Sequence, residues 1–370
     1  MNKRTFIKSM ASVIALAYVN PVSSTTLVKK KKSVLILGGR GFLGPTIVET
    51  FLEKGYSVTL LNRGKTNPQL FSNLPIIICD REEEDKQGLL KVKDQIKDSH
   101  WDVVVDTWSK SPKAVKDFLE VFKGKFNHYH YVSSIAVYKS YNYKKLTENT
   151  PLKVLPEFPK TIKQKYKYSL RKALSEKAII DAEVNYTIHR SHGMRAFRTP
   201  EPIYEPYWAV KFKRGGEVLL PLQENHYMQV TDVVSYCKFI ELCSEKRITG
   251  IFNVARDRML FKEYISQLIS ITGKPKKMHW IPAKFLIANK IIPYRSLPLW
   301  RPKPIGFYNV DVSKAKKAGL INRPLISMLK DRLAGYKYRN PNDDFAYGKN
   351  GTLSDVKEKE VIAKWLKKTK

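Results

Sequence analysis

From Ser33 to Leu37 the chain is a continuous apolar run, Ser33-Val34-Leu35-Ile36-Leu37. It is followed by Gly38-Gly39-Arg40-Gly41-Phe42-Leu43-Gly44, a stretch from Pro45 to Lys54, and a second run, Gly55-Tyr56-Ser57-Val58-Thr59-Leu60-Leu61. A short unbroken run suits a parallel strand covered on both faces, and the stretch after the glycines predicts a helix that crosses to a second such strand. The alternation continues. Pro75 to Asp80 predicts a third strand, Trp101 to Asp106 a fourth and Tyr129 to Ser134 a fifth, with helical stretches at about 85–98 and 111–123. Strands joined in this way by helices predict an α/β fold of the Rossmann type, a doubly wound parallel sheet. Ligands of such sheets bind at the C-terminal strand ends, so Asp80, Asp106 with Thr107, and Ser133 with Ser134 are expected to face one crevice.

The spacing of Gly38, Gly41 and Gly44 gives the first turn its chemistry. One glycine serves a tight turn with unusual backbone angles, one lets backbone approach a pyrophosphate, and one lets helix pack closely on strand. The phosphate would sit on the helix N-terminus, where unpaired N–H groups and the dipole favour an anion. With strand, helix and second strand all in place, the pattern predicts dinucleotide binding.

Ahead of this motif lies a different pattern. Residues 1–24 combine a basic start (Lys3, Arg4, Lys8), an apolar stretch from Met10 to Val19, and Asn20-Pro21-Val22-Ser23-Ser24. The apolar stretch is shorter than the roughly 20 residues a bilayer span needs, so it reads as a signal peptide cut after Ser24. Lys3-Arg4-Thr5-Phe6-Ile7-Lys8 resembles a twin-arginine export signal with lysine in place of the first arginine. Export of a folded protein suits a cofactor enzyme, and the expected location is periplasmic, or cytoplasmic if the segment is no functional signal.

Composition narrows the partners. Three cysteines (Cys79, Cys237, Cys243) make no disulfide framework, so stability must come from the core. Lysine and arginine total 67 against 34 acidic residues, a formal charge of +33. Such an excess favours electrostatic contact with anionic surfaces. The lysines are nevertheless spread along the whole chain, and no nucleic-acid module is present, so no specific nucleic-acid partner is expected.

The second chemical pattern is Tyr168-Ser169-Leu170-Arg171-Lys172. Tyrosine and lysine four residues apart share a helix face, and a nearby ammonium stabilises phenolate, which fits a phenol for acid/base work. Tyr141 with Lys145 and Tyr207 with Lys211 repeat the spacing. Only Tyr168 opens a clean helical stretch after a serine-bearing strand.

Glycine turn, Ser-Ser strand and Tyr-x-x-x-Lys helix, in this order, resemble the extended short-chain dehydrogenase/reductase superfamily in its NAD-dependent epimerase/dehydratase branch. Leu61-Asn62-Arg63-Gly64, Asp80-Arg81, Val132 to Tyr138, Arg214 to Glu217, Gln229 to Val233, Gly250 to Asn253 and Leu297 to Trp300 extend the likeness from about residue 32 to the end. The resemblance implies an NAD(P)-dependent epimerase, dehydratase or reductase that acts on a sugar or other secondary alcohol or ketone. Ser134 would hydrogen-bond the substrate oxygen, Tyr168 would be the acid/base, and Lys172 would hold the nicotinamide ribose and tune Tyr168. Gly38, Arg40, Gly41, Phe42, Leu43 and Gly44 would surround the pyrophosphate, Asp80 would reach the adenine, and Asn62, Arg63, Arg81 and Thr107 would complete the cofactor site. No metal is required, and the scattered histidines, His189 and His192 included, offer no ligand set.

Cofactor choice turns on Asn62 and Arg63. NAD-preferring relatives carry an acidic residue at the end of the second strand, and Asn62 stands there instead. Arg63 and Arg40 could pair with a 2′-phosphate, which leans the expectation from NAD towards NADP. Two further departures concern the substrate: Ser191 follows Arg190 where relatives usually have proline, and Trp108 follows Thr107 where they carry smaller residues. The domains expected are a Rossmann domain at 32–190, a smaller substrate-binding lobe mainly at 191–340, and a tail at 341–370 with a terminal helix at Leu353 to Lys367. The alternative function is a noncatalytic nucleotide- or RNA-binding protein on the same scaffold.

Overall fold

The computed structural model describes residues 31–108, 110–197, 207–339 and 352–369. The segment 1–24, and residues 341–351 of the tail, lie outside the described residues. Alternation inside each strand explains the architecture. In β1 (Ser33–Leu37), Val34 and Ile36 pack into one buried cluster while Leu35 and Leu37 pack into another. A strand with both faces apolar has to be covered on both sides. Helix α1 (Gly44–Glu53) brings Ile47, Val48 and Phe51 to the first face, and α3 (Pro112–Val121) brings Val115, Phe118 and Leu119 to the second.

β1 pairs in parallel with β2 (Ser57–Asn62) and with β4 (Trp101–Asp106), and the sheet extends through β3 (Ile76–Ile78) on one side and β5 (Phe126–Ser134) and β6 (Tyr186–Ser191) on the other. The order 3-2-1-4-5-6 reverses direction at β1 and β4, which opens a crevice at their C-terminal ends. Helix α4 (Tyr168–Asp181) follows β5 and lies on the α3 side, where Ile179 joins the second cluster. Between β3 and β4 the expected helix at 85–98 shrinks to α2 (Gln87–Leu90) and turns. Asp85 and Lys86 adopt left-handed angles at its start, and Gly88 lies against the Asp80 backbone where a Cβ would come within 1.9 Å of the carbonyl oxygen.

Past β6 come the short strand β7 (Met194–Arg195), helix α5 (Tyr207–Arg214) and strands β8 (Glu217–Leu222), β9 (Tyr227–Met228) and β10 (Thr231–Asp232). The chain then returns to the sheet. Helix α6 (Val233–Glu245) covers the α1 face with Tyr236, Phe239 and Ile240, and β11 (Gly250–Val254) adds a seventh parallel strand beside β6. Then follow β12 (Met259–Leu260), α7 (Phe261–Thr272), β13 (Lys277–Pro282), α8 (Ala283–Ala288), α9 (Ser313–Lys317), whose Ala315 packs back on the sheet, and α10 (Leu325–Arg339). Terminal helix α11 (Asp355–Thr369) closes the chain. The lobe has its own core around Trp208, Phe212, Leu219, Phe261, Ile281 and Trp300, to which α11 contributes Val361 and Ile362. All three cysteines are buried and unbridged.

Candidate functional site

The glycine turn has three separate requirements. Gly38 has φ +92°, and a Cβ there would stand 2.7 Å from Thr107 Oγ1, so the turn and the end of β4 are in contact. A Cβ on Gly44 would meet Gly38 O at 2.2 Å, which is why the first residue of α1 must be glycine for the helix to seat on the turn. Gly41 meets nothing within 4 Å and has no left-handed angle, so no neighbour inside the protein requires a glycine there. The space it leaves suits a ligand brought close to backbone. Helix α1 starts with Leu43 as N-cap and Pro45 in its first turn, with no side-chain cap and no acidic residue in that turn, so neither answers its first N–H groups and positive dipole end. Thr107 is committed to the scaffold: its hydroxyl donates to Leu37 O at 2.9 Å and its amide to the same carbonyl. Phe42 and Leu43 pack into the α1-side core.

Beside the turn lies a pocket of about 150 Å³, with Gly38, Arg40, Gly41, Asn62, Arg63 and Arg81 in its wall. That is less than the roughly 300–1,000 Å³ typical of a whole small-molecule site, so it suits one end of a dinucleotide. Lys65, Cys79, Thr107 and Trp108 also line it. Four side-chain nitrogens in this wall are buried with no partner, Arg40 Nε, Asn62 Nδ2, Arg81 Nε and Trp108 Nε1, and each is an N–H donor. Buried donors are seldom left unmade, so an acceptor-rich group fits here. The dinucleotide expected from sequence meets this test. Asp80 is not in the pocket wall; its carboxylate accepts the Glu82 amide at 3.0 Å and closes the loop after β3.

Two residues expected to face the crevice turn inward instead. Asp106 is fully buried and takes Arg81 in a two-pronged pair, Nη1 at 3.1 Å and Nη2 at 2.8 Å, with Tyr129 OH as a further donor. The guanidinium beside it holds the Asp106 carboxyl below the usual carboxylate range against the opposing effect of burial. Ser133 donates to Glu176 and is buried, because alternation along β5 sends it to the face opposite Ser134.

Ser134 ends β5 half-buried, with its Oγ accepting the Ala136 amide at 3.2 Å as the cap of a short turn, so its hydroxyl proton remains available. Tyr168 opens α4 and is 43% exposed, whereas Lys172, one turn on, is only 2% exposed. The Lys172 ammonium donates to Trp108 O at 2.7 Å and Val132 O at 2.5 Å and lies 4.5 Å from the Tyr131 ring centre. Burial pushes it down to about 7. The lysine thus stitches α4 to the ends of both β4 and β5. Ala173 packs on Ile135 and Val137, which keeps the start of α4 against the Ser134 turn. The competing pairs are structural: Lys145 bridges to Asp311, and Lys211 is buried against Glu358 and Asp355 beside a buried Tyr207.

Sequence reasoning did not single out Glu176. It lies one turn past Lys172 and binds Arg190 Nη2 at 2.7 Å, while Arg190 Nη1 reaches Tyr138 OH and Glu148 O. Ser191, in the place of the usual proline, donates to Ser133 O at 3.1 Å and so ties β6 to β5. The i+4 repeat Tyr168, Lys172, Glu176 was the available signal.

The histidines form a different structure. Thr187 Oγ1 donates to Ile248 O and therefore accepts from His128 Nε2; Ser244 Oγ donates to Ile240 O and accepts from His130 Nε2. His130 Nδ1 then accepts from His189 Nε2 at 3.1 Å, and His189 Nδ1 is left bare. Among the described residues no group of histidine, cysteine and acidic side chains could hold a metal ion.

Comparisons with known proteins bear on the fold. The chain is 24% identical over 281 residues to the chloroplast stem-loop binding protein of 41 kDa b of Arabidopsis thaliana, across 72% of this chain and 70% of that protein. The fold is shared with the Bordetella bronchiseptica enzyme WbmG in complex with NAD, at a TM-score of 0.60 and 15% identity over 86% of this chain and 98% of that one. It is shared also with the UDP-Glc/GlcNAc 4-epimerase of Campylobacter jejuni, at a TM-score of 0.61 and 15% identity over 83% and 99%. Residues 34–191, from β1 to the end of β6, match the model of the family described as NAD dependent epimerase/dehydratase.

Proposed function

We propose that the protein is an enzyme of the extended short-chain dehydrogenase/reductase type that acts on a sugar or other secondary alcohol or ketone. The observation that carries this reading is Lys172. A nearly inaccessible ammonium fixed to two strand-end carbonyls, one turn from an exposed tyrosine, has no need to be a lysine for packing alone. The Gly38 to Gly44 turn and the α1 N-terminus would hold the pyrophosphate of NAD or NADP, and the pocket beyond Asn62 would hold the adenosine end, with NADP favoured there. Bound dinucleotide supplies hydride exchange at carbon. The chain's residues supply the rest. Tyr168, exposed at the start of α4, moves the hydroxyl proton of the substrate; the Lys172 charge favours the phenolate formed when that proton is given up; Ser134 donates its hydroxyl to the substrate oxygen.

The test combines binding and turnover. Wild-type protein should bind a labelled dinucleotide and oxidise, reduce or epimerise a member of a panel of sugars and sugar nucleotides. Tyr168→Phe should keep the binding and lose about 10²–10⁴-fold of the turnover. Turnover by Tyr168→Phe equal to wild type would overturn the assignment.

A second reading has one observation behind it, the likeness to a protein named for stem-loop binding, in a chain of charge +33. On that reading RNA binds with a steep salt dependence and no dinucleotide binds. Residues 1–24 further support action outside the cytoplasm. N-terminal sequencing of protein from its native host should then begin after Ser24, and a retained Met1 would exclude it.

A further inference from the structure

The pocket at the end of β2 is one-sided in its chemistry. Four basic side chains line it, Arg40, Arg63, Lys65 and Arg81, and no carboxylate stands in its described wall. Its buried unpartnered side-chain nitrogens are all donors. Asn62 occupies the position from which a ribose would be read; its Oδ1 already accepts the Gly64 amide at 2.8 Å, and its amide nitrogen is buried with no partner among the described residues. Cys79, whose thiol burial pushes up to about 11 and which donates to Gly88 O at 3.2 Å, brings no thiolate to the wall. A ribose 2′-hydroxyl is held best by an acceptor for its proton, and the described wall offers no charged one. A phosphate monoester brings three acceptor oxygens and a charge of about −1.5 to −2, which answers donors and cations together.

We propose that this pocket is a 2′-phosphate subsite and that the protein takes NADP(H) in preference to NAD(H), an inference that rests on the dinucleotide reading of the glycine turn. The roles of the arginines differ. Arg81 has both Nη atoms committed to Asp106 and contributes only its Nε–H. Arg63 is held loosely, with Nη1 3.5 Å from Glu82 and its side chain 31% exposed, and its guanidinium lies 5.9 Å from the Trp108 ring. Exchanging that weak, partly solvated contact for a doubly charged phosphate costs little. Arg63 and Asn62 therefore discriminate between the cofactors, and Arg81 positions the wall.

The test needs no turnover. Calorimetric titration of the full chain with 2′,5′-ADP and with 5′-AMP should show the 2′-phosphorylated probe binding about tenfold or more tightly, with NADP over NAD in the same sense. Arg63→Ala should remove most of that difference by weakening 2′,5′-ADP at least severalfold more than 5′-AMP, and Asn62→Asp should reverse it; both positions are at the pocket surface, and circular dichroism checks their folding. Equal affinity for 2′,5′-ADP and 5′-AMP in the wild type would overturn the subsite while leaving the dinucleotide reading intact. Binding of none of the four nucleotides would overturn both.

Discussion

Glu176 on α4 meets Arg190 on β6 at 2.7 Å with both side chains shut off from solvent. The pair lies one helical turn beneath Lys172 and joins the helix that carries Tyr168 to the strand beside Ser133 and Ser134. Burying two charges is costly, and their attraction compensates only with both partners present. Arg190→Met alone should cost about 3–5 kcal/mol in urea unfolding, whereas Arg190→Met with Glu176→Met should restore most of the loss. If the double variant is no more stable than Arg190→Met, the pair is not what holds the helix.

Gly41 and Gly44 separate ligand contact from folding. Gly41→Ala adds a methyl to open space, so the unfolding free energy should stay within about 0.5 kcal/mol of wild type while dinucleotide affinity falls at least severalfold. Gly44→Ala drives a methyl into the Gly38 carbonyl and should lower both. Unchanged dinucleotide affinity in Gly41→Ala would move the pyrophosphate elsewhere.

The imidazole stack predicts acid lability. Burial lowers His128 to about 4 and His189 to about 3, and His130 also lies below its ordinary value. His192 and His226, elsewhere in the chain, are lowered in the same sense. Because the folded values lie below the unfolded one, the unfolded chain binds more protons, and stability falls as pH drops through about 6.5 towards the folded values. The three stacked rings alone permit a slope of up to about 4 kcal/mol per pH unit. Urea midpoints at pH 7, 6 and 5 measure it, and a flat profile would mean that the rings are accessible to protons when folded.

Helix α11 sends two carboxylates to the lobe, Asp355 and Glu358, and of the two only Glu358 is buried. Glu358 accepts the Leu219 amide at 2.8 Å and pairs with Lys211. Glu358→Ala would leave an ammonium and a strand amide buried without it, and should cost about 2–4 kcal/mol in thermal unfolding. A loss below about 0.5 kcal/mol would show that Val361 and Ile362 suffice to dock the helix.

The sheet was legible in the sequence wherever both faces of a strand are apolar, as in β1 and β4, because an unbroken run has few other uses in a short segment. β6 was not, since Tyr186 to Ser191 carries threonine, histidine, arginine and serine that are buried only by virtue of partners on β5, α4 and α6. The glycine turn could be read residue by residue. Asp106 and Ser133 could not: their places at strand ends fit a ligand role as well as an internal bond, and only Arg81 and Glu176, distant in sequence, decide the matter. Helix 85–98 failed because its start is set by the contact of Gly88 with Asp80, which no local preference records.

β11 reaches its place beside β6 only after the chain has traversed β7 to α6, and it pairs with that strand from Thr187 to Ser191. A fragment ending at 191, where the family match stops, would leave that whole side of β6 as an unprotected row of backbone donors and acceptors. Such an edge is a template for joining other chains. The segment from 34 to 191 is therefore not a detachable module, and its solubility depends on a strand supplied from beyond its own boundary.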